Sequence, residues 1–426
     1  MIELNDNGAW SWFMDERVII HGDYLAVGSV RSAADSAGGS GNVEVSIYHQ
    51  KTGSRQVCIL HENFEEDDHD GPAFHIRPDG RVTATYTKHS QERRLYWRIS
   101  TDETMSQWGP IQSLKTPGTD HPPFGGDNVT YTNLLCLADE GDLLYNFFRS
   151  VGHQQNWMTS EDHGETWRYR GMFLRGYQGY APYFKYATNH RDTIHFVGTE
   201  DHPRNFDNSV YHGMIRGGVI HQSDGTSYRP LSETTEKSGD IWDLTCVYRG
   251  DQDHVAWVHD LHLDPDGRPA CVFSVQRDGR GLPRGEGGKD HRYHYARWDG
   301  SQWSTHEIAY AGRRLYRGED DYTGGICLDP QDLARVVIST DVDPRTGRPL
   351  ISRGDGLRHR ELFLGRTDDG GETFSWSAIT ADSTDDHLRP IIPAGYTGPT
   401  PVCWMRGRYE HNQGPWSTSI MLGFVD

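Results

Sequence analysis

The sequence predicts an all-β fold, a single β-propeller spanning residues 1–426, most simply divided into seven blades. Three observations carry this expectation. The composition is rich in turn and strand formers, with 48 Gly, 21 Tyr and 13 Trp and only 35% hydrophobic residues, and few apolar stripes have helical spacing. A cadence of short strands and tight turns returns every ~50 to 60 residues, the size range of propeller blades. An eight-position motif, Ser/Thr-x-Asp-x-Gly-x-Thr-Trp/Phe, is complete at Ser160–Trp167 and again at Thr367–Phe374. In this motif (the Asp-box) the carboxylate caps a tight turn, Gly takes a positive φ, and the aromatic plugs the blade.

Element by element, strands are expected at Trp12-Phe13, Arg17–Ile20 and Tyr24–Val30. Val43–Tyr48 alternates apolar and polar residues, the pattern of a half-buried strand. Turns followed by apolar runs stand at Arg77–Gly80, Ala138–Gly141 and Asp264–Gly267, with a degenerate copy at Leu328–Gln331. Worn Asp-boxes remain at Ser100–Asp102 with Trp108 and at Trp298–Trp303. At roughly 55 to 60 residues per blade the length divides into seven, with six and eight the neighbouring solutions. Ser417–Phe424 is expected to close the ring against the first strands and so remove an open sheet edge.

A net charge of −19 argues against nucleic acid or an anionic membrane as partner. An anionic sugar remains compatible if arginines cluster locally. Cys58, Cys136, Cys246, Cys271, Cys327 and Cys403 are scattered without CxxC spacing, so free buried thiols are expected. No apolar run has the length of a transmembrane helix. No basic-then-apolar leader precedes Leu4; a secreted or periplasmic protein with its leader removed and a cytoplasmic protein starting at Met1 both fit. A monomer with no organic cofactor is the expected state.

The stretch from Glu65 to His89 is the most informative. An acidic loop carries His69, a strand runs from Ala73 to Arg77, Pro78-Asp79-Gly80 turns, and a second strand leads from Val82 to His89. Asp-Gly between two extended runs signals a hairpin. Asp79 lies midway between the two histidines, so their imidazoles should meet at the open end of the ladder. Two unrelated surface histidines are the bland alternative. Later units also end in polar residues: Asp127–Asn133, Leu143–Arg149, Tyr180–Tyr186 and Thr199–Arg204. Equivalent strand ends of successive blades converge at the mouth of a propeller's channel, so these groups should gather there.

The segments Asp67–Ala73 through Tyr86–His89, Asn128–Asn133, and Asp192–Phe196 with Asp201–Arg204 resemble those of the BNR-repeat polysaccharide lyases. That group includes seven-bladed ulvan lyases and lyases cutting rhamnosyl-(1→4)-glucuronate. The likeness extends from Trp12 to about Trp404. It implies that His69 and His89 are the catalytic histidines, that Tyr131 and Arg149 act at the cleavage site, and that Tyr183 contacts substrate; Asn128 and Arg204 are placed beside it as substrate-binding residues. The substrate implied is an acidic polysaccharide or oligosaccharide. Asp70 departs from the pattern, standing where many ulvan lyases are expected to carry Asn.

The chemistry can be stated without the resemblance. β-Elimination at a 4-linked uronate needs its carboxylate neutralised, a base for the C5 proton and an acid for the leaving O4. Arginine suits the first task, neutral histidine the second, and a tyrosine the third. We therefore expect His69 and His89 to serve as base and carboxylate-polarising partner, in either order, with Tyr131 as acid and Arg149 as neutraliser. Neighbouring acids should raise the histidine pKa and move activity toward alkaline pH.

A second set, His202, Cys271, His291 and His294, has the donor types of a structural Zn²⁺ site, with Ca²⁺ the other candidate, and related lyases are expected to hold such a metal. A buried thiol among surface histidines is its alternative. Two rival functions stand: a glycoside hydrolase, such as an α-L-rhamnosidase using Asp67, Asp68 or Glu319–Asp321, and a non-catalytic glycan-binding propeller.

Overall fold

The computed structural model describes residues 1–33, 38–118, 126–176, 181–232, 239–279 and 282–426. Seven antiparallel sheets follow one another as blades. Blade I runs from Val18–His21 to Arg55–His61, blade II from Ala73–Ile76 to Gln112–Lys115, and blade III from Thr130–Leu137 to Arg168–Met172. Blade IV begins at Tyr183–Thr188. Its third strand, Val210–Arg216, pairs both with Thr245–Tyr248 and with an added ribbon, Val219–His221 and Ser227–Pro230. Blade V spans Val255–Leu263 to Trp303–Gly312 and blade VI Ile326–Leu328 to Ser375–Ala378.

Blade VII closes the ring. Its strands Asp386–Ile391, Thr400–Arg408 and Ser417–Val425 are completed by Ile2–Asn5, which pairs with Ser417–Val425. Sharing the last sheet between the two ends of the chain closes the ring, with Ile2–Asn5 as the outer strand of that sheet. At both full eight-residue motifs the local bonding is the same. Asp162 accepts from the Thr166 N–H (2.8 Å) and hydroxyl (2.6 Å), and Asp369 from the Thr373 N–H (2.9 Å) and hydroxyl (2.6 Å). Gly164 and Gly371 sit at φ +93° and +105°, where a Cβ would strain the turn.

One expected strand is absent. Trp12-Phe13 joins no ladder among the described residues; the segment Trp10–Asp15 instead fills the centre of the ring. Trp10, Trp12, Phe13 and Met14 are buried in the largest apolar cluster. Trp12 Nε1 donates to the Val258 carbonyl (3.0 Å) and Lys185 Nζ donates to the Trp12 carbonyl (2.6 Å). Asp15 bridges to Asn133 and pairs with both Arg17 and Lys185. Inner strands of a ring diverge from a common axis, so the axis needs bulky side chains that no blade supplies. This plug is also the floor of the site described next.

Four of the six cysteines are buried as expected, whereas Cys136 and Cys246 are partly exposed; all six are free. No helix among the described residues is long and apolar enough to cross a membrane.

Candidate active site

The site begins with the blade II hairpin. Its ladder pairs Ala73 with Thr85 and Ile76 with Val82; extending that register places His69 opposite His89. The two rings stack, with centroids 3.9 Å apart and planes 16° from parallel. The open side of the stack is His89, whose side chain is 21% exposed against 4% for His69.

Asp67 organises the pair. It caps the single 3₁₀ turn Asp68–Asp70 by accepting from the His69 N–H. The same Oδ1 lies 2.6 Å from His69 Nδ1, and Oδ2 lies 2.7 Å from His89 Nδ1. Glu65 accepts from the His89 backbone N–H at 2.9 Å. His69 has a second anion, Asp68 Oδ1, at 2.9 Å. Asp68 is in turn bonded by Arg389 and by the Tyr409 hydroxyl (2.5 Å). Arg389, from blade VII, also donates to the Trp10 carbonyl of the plug.

These contacts split the two histidines electrostatically. Burial opposes charge on His69, but Asp67 and Asp68 outweigh it and push its pKa up to about 9. Burial and the neighbouring His69 charge pull His89 down to about 4, against the attraction of Asp67. Near neutral pH the stack therefore holds one imidazolium, His69, and one neutral imidazole, His89. The expectation that adjacent acids raise histidine pKa applies to one ring only, because the first protonated ring disfavours the second. With Nδ1 bound to Asp67, His89 Nε2 is unbonded among the described residues.

Blade III supplies the opposite wall. Tyr131 sits at φ +68° where the Thr130–Leu137 strand slips register between Thr130 and Asn133. Such a bulge re-aims a side chain, and the Tyr131 ring lies 5.5 Å from His69. Burial and Tyr183, opposed by Arg149, hold its hydroxyl well above the usual phenol range, so it stays a proton donor. Arg149, 3% exposed, lies over the Tyr131 and Tyr183 rings at 5.0 and 5.7 Å. Its guanidinium donates to the hydroxyls of Tyr183 (3.3 Å), Thr130 (3.3 Å) and Ser90 (3.4 Å), and its Nε is unbonded. Among the described residues no carboxylate pairs with it.

The remaining expected residues divide. Tyr183 lies between the Phe13 of the plug (4.9 Å) and His202 (5.7 Å). Arg204, 35% exposed, shares Glu319 with Arg284 at the rim. Asn128 is engaged elsewhere, its amide donating to the Ser90 carbonyl (2.8 Å), so it shapes the loop beside His89. Tyr180 lies outside the described residues.

The metal set His202, Cys271, His291 and His294 does not assemble. Among the described residues the His/Cys/Asp/Glu groups of three or more with ligand atoms within 4.8 Å are Asp67–His69–His89 and His75–Cys136–His163. His291 and His294 stand three apart on one strand of blade V, so they point to opposite faces of the sheet. His294 packs on Phe273 (5.2 Å), while His202 leans on Trp257 (4.6 Å) at the site wall. The four residues do not fit a zinc or calcium ion.

Asp70 is fully buried beside Glu65. Burial and the charges of Glu65 and Asp67 push it well above the usual carboxylate range. That shift favours the uncharged form, which the Asn expected there would mimic. A carboxyl with a raised folded-state pKa costs stability that is absent below its unfolded pKa and grows as pH rises above it. Asp70→Asn is therefore expected to gain in relative stability by up to ~1.4 kcal/mol per pH unit above about pH 4. Thermal melts of both proteins across pH check this; a constant difference refutes it.

The sequence profile of the BNR repeat-containing family matches residues 37–311. No curated protein gives a significant sequence match. Among solved structures, a PL25 ulvan lyase bound to -[GlcA(1-4)Rha3S]- is 14% identical with a TM-score of 0.66, the alignment covering 99% of this chain and 94% of that one. Another structure of a PL25 ulvan lyase aligns at 15% identity, TM-score 0.66 and the same coverage. The α-L-arabinofuranosidase Arb93A of Fusarium graminearum aligns at 12% identity and TM-score 0.44, over 82% of this chain and 91% of that one.

Proposed function

Because the chain belongs to the BNR repeat-containing family, we propose that it is a polysaccharide lyase. It cleaves a rhamnose-(1→4)-uronate linkage by β-elimination in an ulvan-type or gum-type acidic polysaccharide. The observation that carries this reading is Arg149: a buried cation whose hydrogen-bond partners among the described residues are all hydroxyls, beside an accessible neutral imidazole. A buried charge without a counter-ion is costly, and a uronate carboxylate would supply the missing one in bidentate geometry.

The residues then divide the work. Arg149 binds the carboxylate and stabilises the enolate-like charge that develops when C5 loses its proton. His89 Nε2 takes that proton, and Asp67, bound to Nδ1, stabilises the resulting imidazolium. The C4–O4 bond breaks as the C4=C5 double bond forms, and Tyr131 gives its proton to O4. Transfer from His89 back to the Tyr131 oxygen restores both groups. His69 keeps its charge between Asp67 and Asp68 and lowers the proton affinity of His89. At the rim, Arg204 and Arg284 share a single carboxylate, Glu319.

The hydrolase reading needs two free carboxyl groups across the bond. Asp67 and Asp68 are engaged by His69, His89 and Arg389, Glu319 by two arginines and Asp320 by Arg314, so Asp321 alone of that set has no ion-pair partner among the described residues. The test is incubation with ulvan, gum arabic and glucuronan, followed by ultraviolet absorbance. Elimination creates a conjugated unsaturated uronate; new reducing ends without that absorbance would identify a hydrolase and overturn the proposal.

The pH profile separates the two histidines. With His89 as base, kcat/KM falls as pH drops toward about 4, where His89 gains a proton, and is level through neutral pH. Were His69 the base, activity would instead appear only as pH rises through about 9.

A further inference from the structure

On the face of the propeller away from the His69–His89 stack, toward the Asp79-Gly80 turn, a second cluster joins blades II and III. His75 comes from the inner strand of blade II, Cys136 from the inner strand of blade III, and His163 from the Asp-box turn. We propose that His75, Cys136 and His163 form a transition-metal site of the zinc class that clips blade II to blade III.

The donor atoms of the three lie within 4.8 Å of one another. His75 Nε2 and His163 Nδ1 are 3.4 Å apart with rings 10° from parallel. That is long for a hydrogen bond but matches the roughly 3.3 Å edge between two nitrogens tetrahedrally bound to zinc at about 2.0–2.1 Å. Cys136 Sγ has only a weak partner, the Asp142 carbonyl at 3.3 Å. One thiolate and two imidazoles select zinc-class ions over calcium or magnesium, which require oxygen ligands.

The cluster is held ready. His163 is the variable position of its motif, yet its turn is pinned: its carbonyl accepts from Arg77 Nη1 (2.7 Å) and the Thr83 hydroxyl (2.8 Å), and Gly164 N–H donates to the Ser160 hydroxyl (2.7 Å). A cavity of about 450 Å³, whose lining includes His75, Cys136, His163, Asp142 and His190, adjoins it. Three protein ligands leave the fourth position to a water in that cavity. Binding displaces the thiol proton to solvent.

The test uses chelator-stripped full-length protein titrated with Co²⁺. One equivalent should bind with tetrahedral d–d bands and a thiolate-to-cobalt charge-transfer band, and Zn²⁺ should displace it. Cys136→Ser and His163→Ala should each lose the charge-transfer band and weaken binding at least ~10-fold, whereas Cys246→Ser should keep both. Zn²⁺ should raise the Tm of wild type and not that of Cys136→Ser, with the stripped proteins melting alike. Absence of a charge-transfer band, its persistence in Cys136→Ser, or an equal Zn²⁺-induced Tm shift in both proteins would overturn the site.

Discussion

Replacing His89 with alanine is expected to cut the rate of elimination about 10²- to 10⁴-fold, measured as the initial rise in ultraviolet absorbance on the polysaccharide that wild type cleaves. His89 is the ring of the stack that is both accessible and neutral, so no neighbour can take its place as base: His69 is already protonated and 4% exposed. KM should change little, because the carboxylate is bound by Arg149. His69→Ala should differ in kind. It removes the cation that lowers His89, so the acid limb of kcat/KM should move up toward the ordinary histidine range. A His89→Ala enzyme with wild-type kcat would show that His89 is not the base.

Arg149→Lys should cost ~10²- to 10³-fold in kcat/KM although the charge is retained. Lysine cannot span both carboxylate oxygens while keeping contact with Tyr183, Ser90 and Thr130. The loss should shrink on a substrate whose uronates are methyl-esterified, since that ester carries no charge to neutralise. Arg149→Met should abolish activity yet raise the Tm, because a buried cation without a counter-ion destabilises the free protein. An Arg149→Met protein that melts below wild type would show that the guanidinium is a structural strut.

The parts of this architecture legible in the sequence are those governed by short-range rules. Period-two alternation and an Asp-Gly turn suffice to set the Ala73–Ile76 and Val82–Thr87 register, and with it the meeting of His69 and His89. The eight-residue motif likewise dictates the hydrogen bonds of Asp162 and Asp369, because all partners lie within four positions. Arg149 was accessible to the same reasoning as the polar end of an apolar strand. Asp67 was visible as an acid, but its bridging of two rings follows only once those rings are stacked.

Other features depend on closure of the ring. Arg389 reaches Asp68 across 321 positions of the chain, a distance over which no local pattern operates. Trp10–Asp15 has strand-like composition, yet it becomes a plug because seven diverging inner strands leave an axis to fill. The set His202, Cys271, His291 and His294 had suitable donors, but strand alternation turns His291 and His294 to opposite faces. His75, Cys136 and His163 were three unrelated letters until two adjacent blades brought them within 4.8 Å. Local hydrogen bonding and side-chain period thus determined the blades and the histidine pair from the sequence alone. Which charges are balanced, and which arginine has no carboxylate partner among the described residues, was decided by the tertiary structure, because burial and counter-ions come from segments hundreds of residues apart.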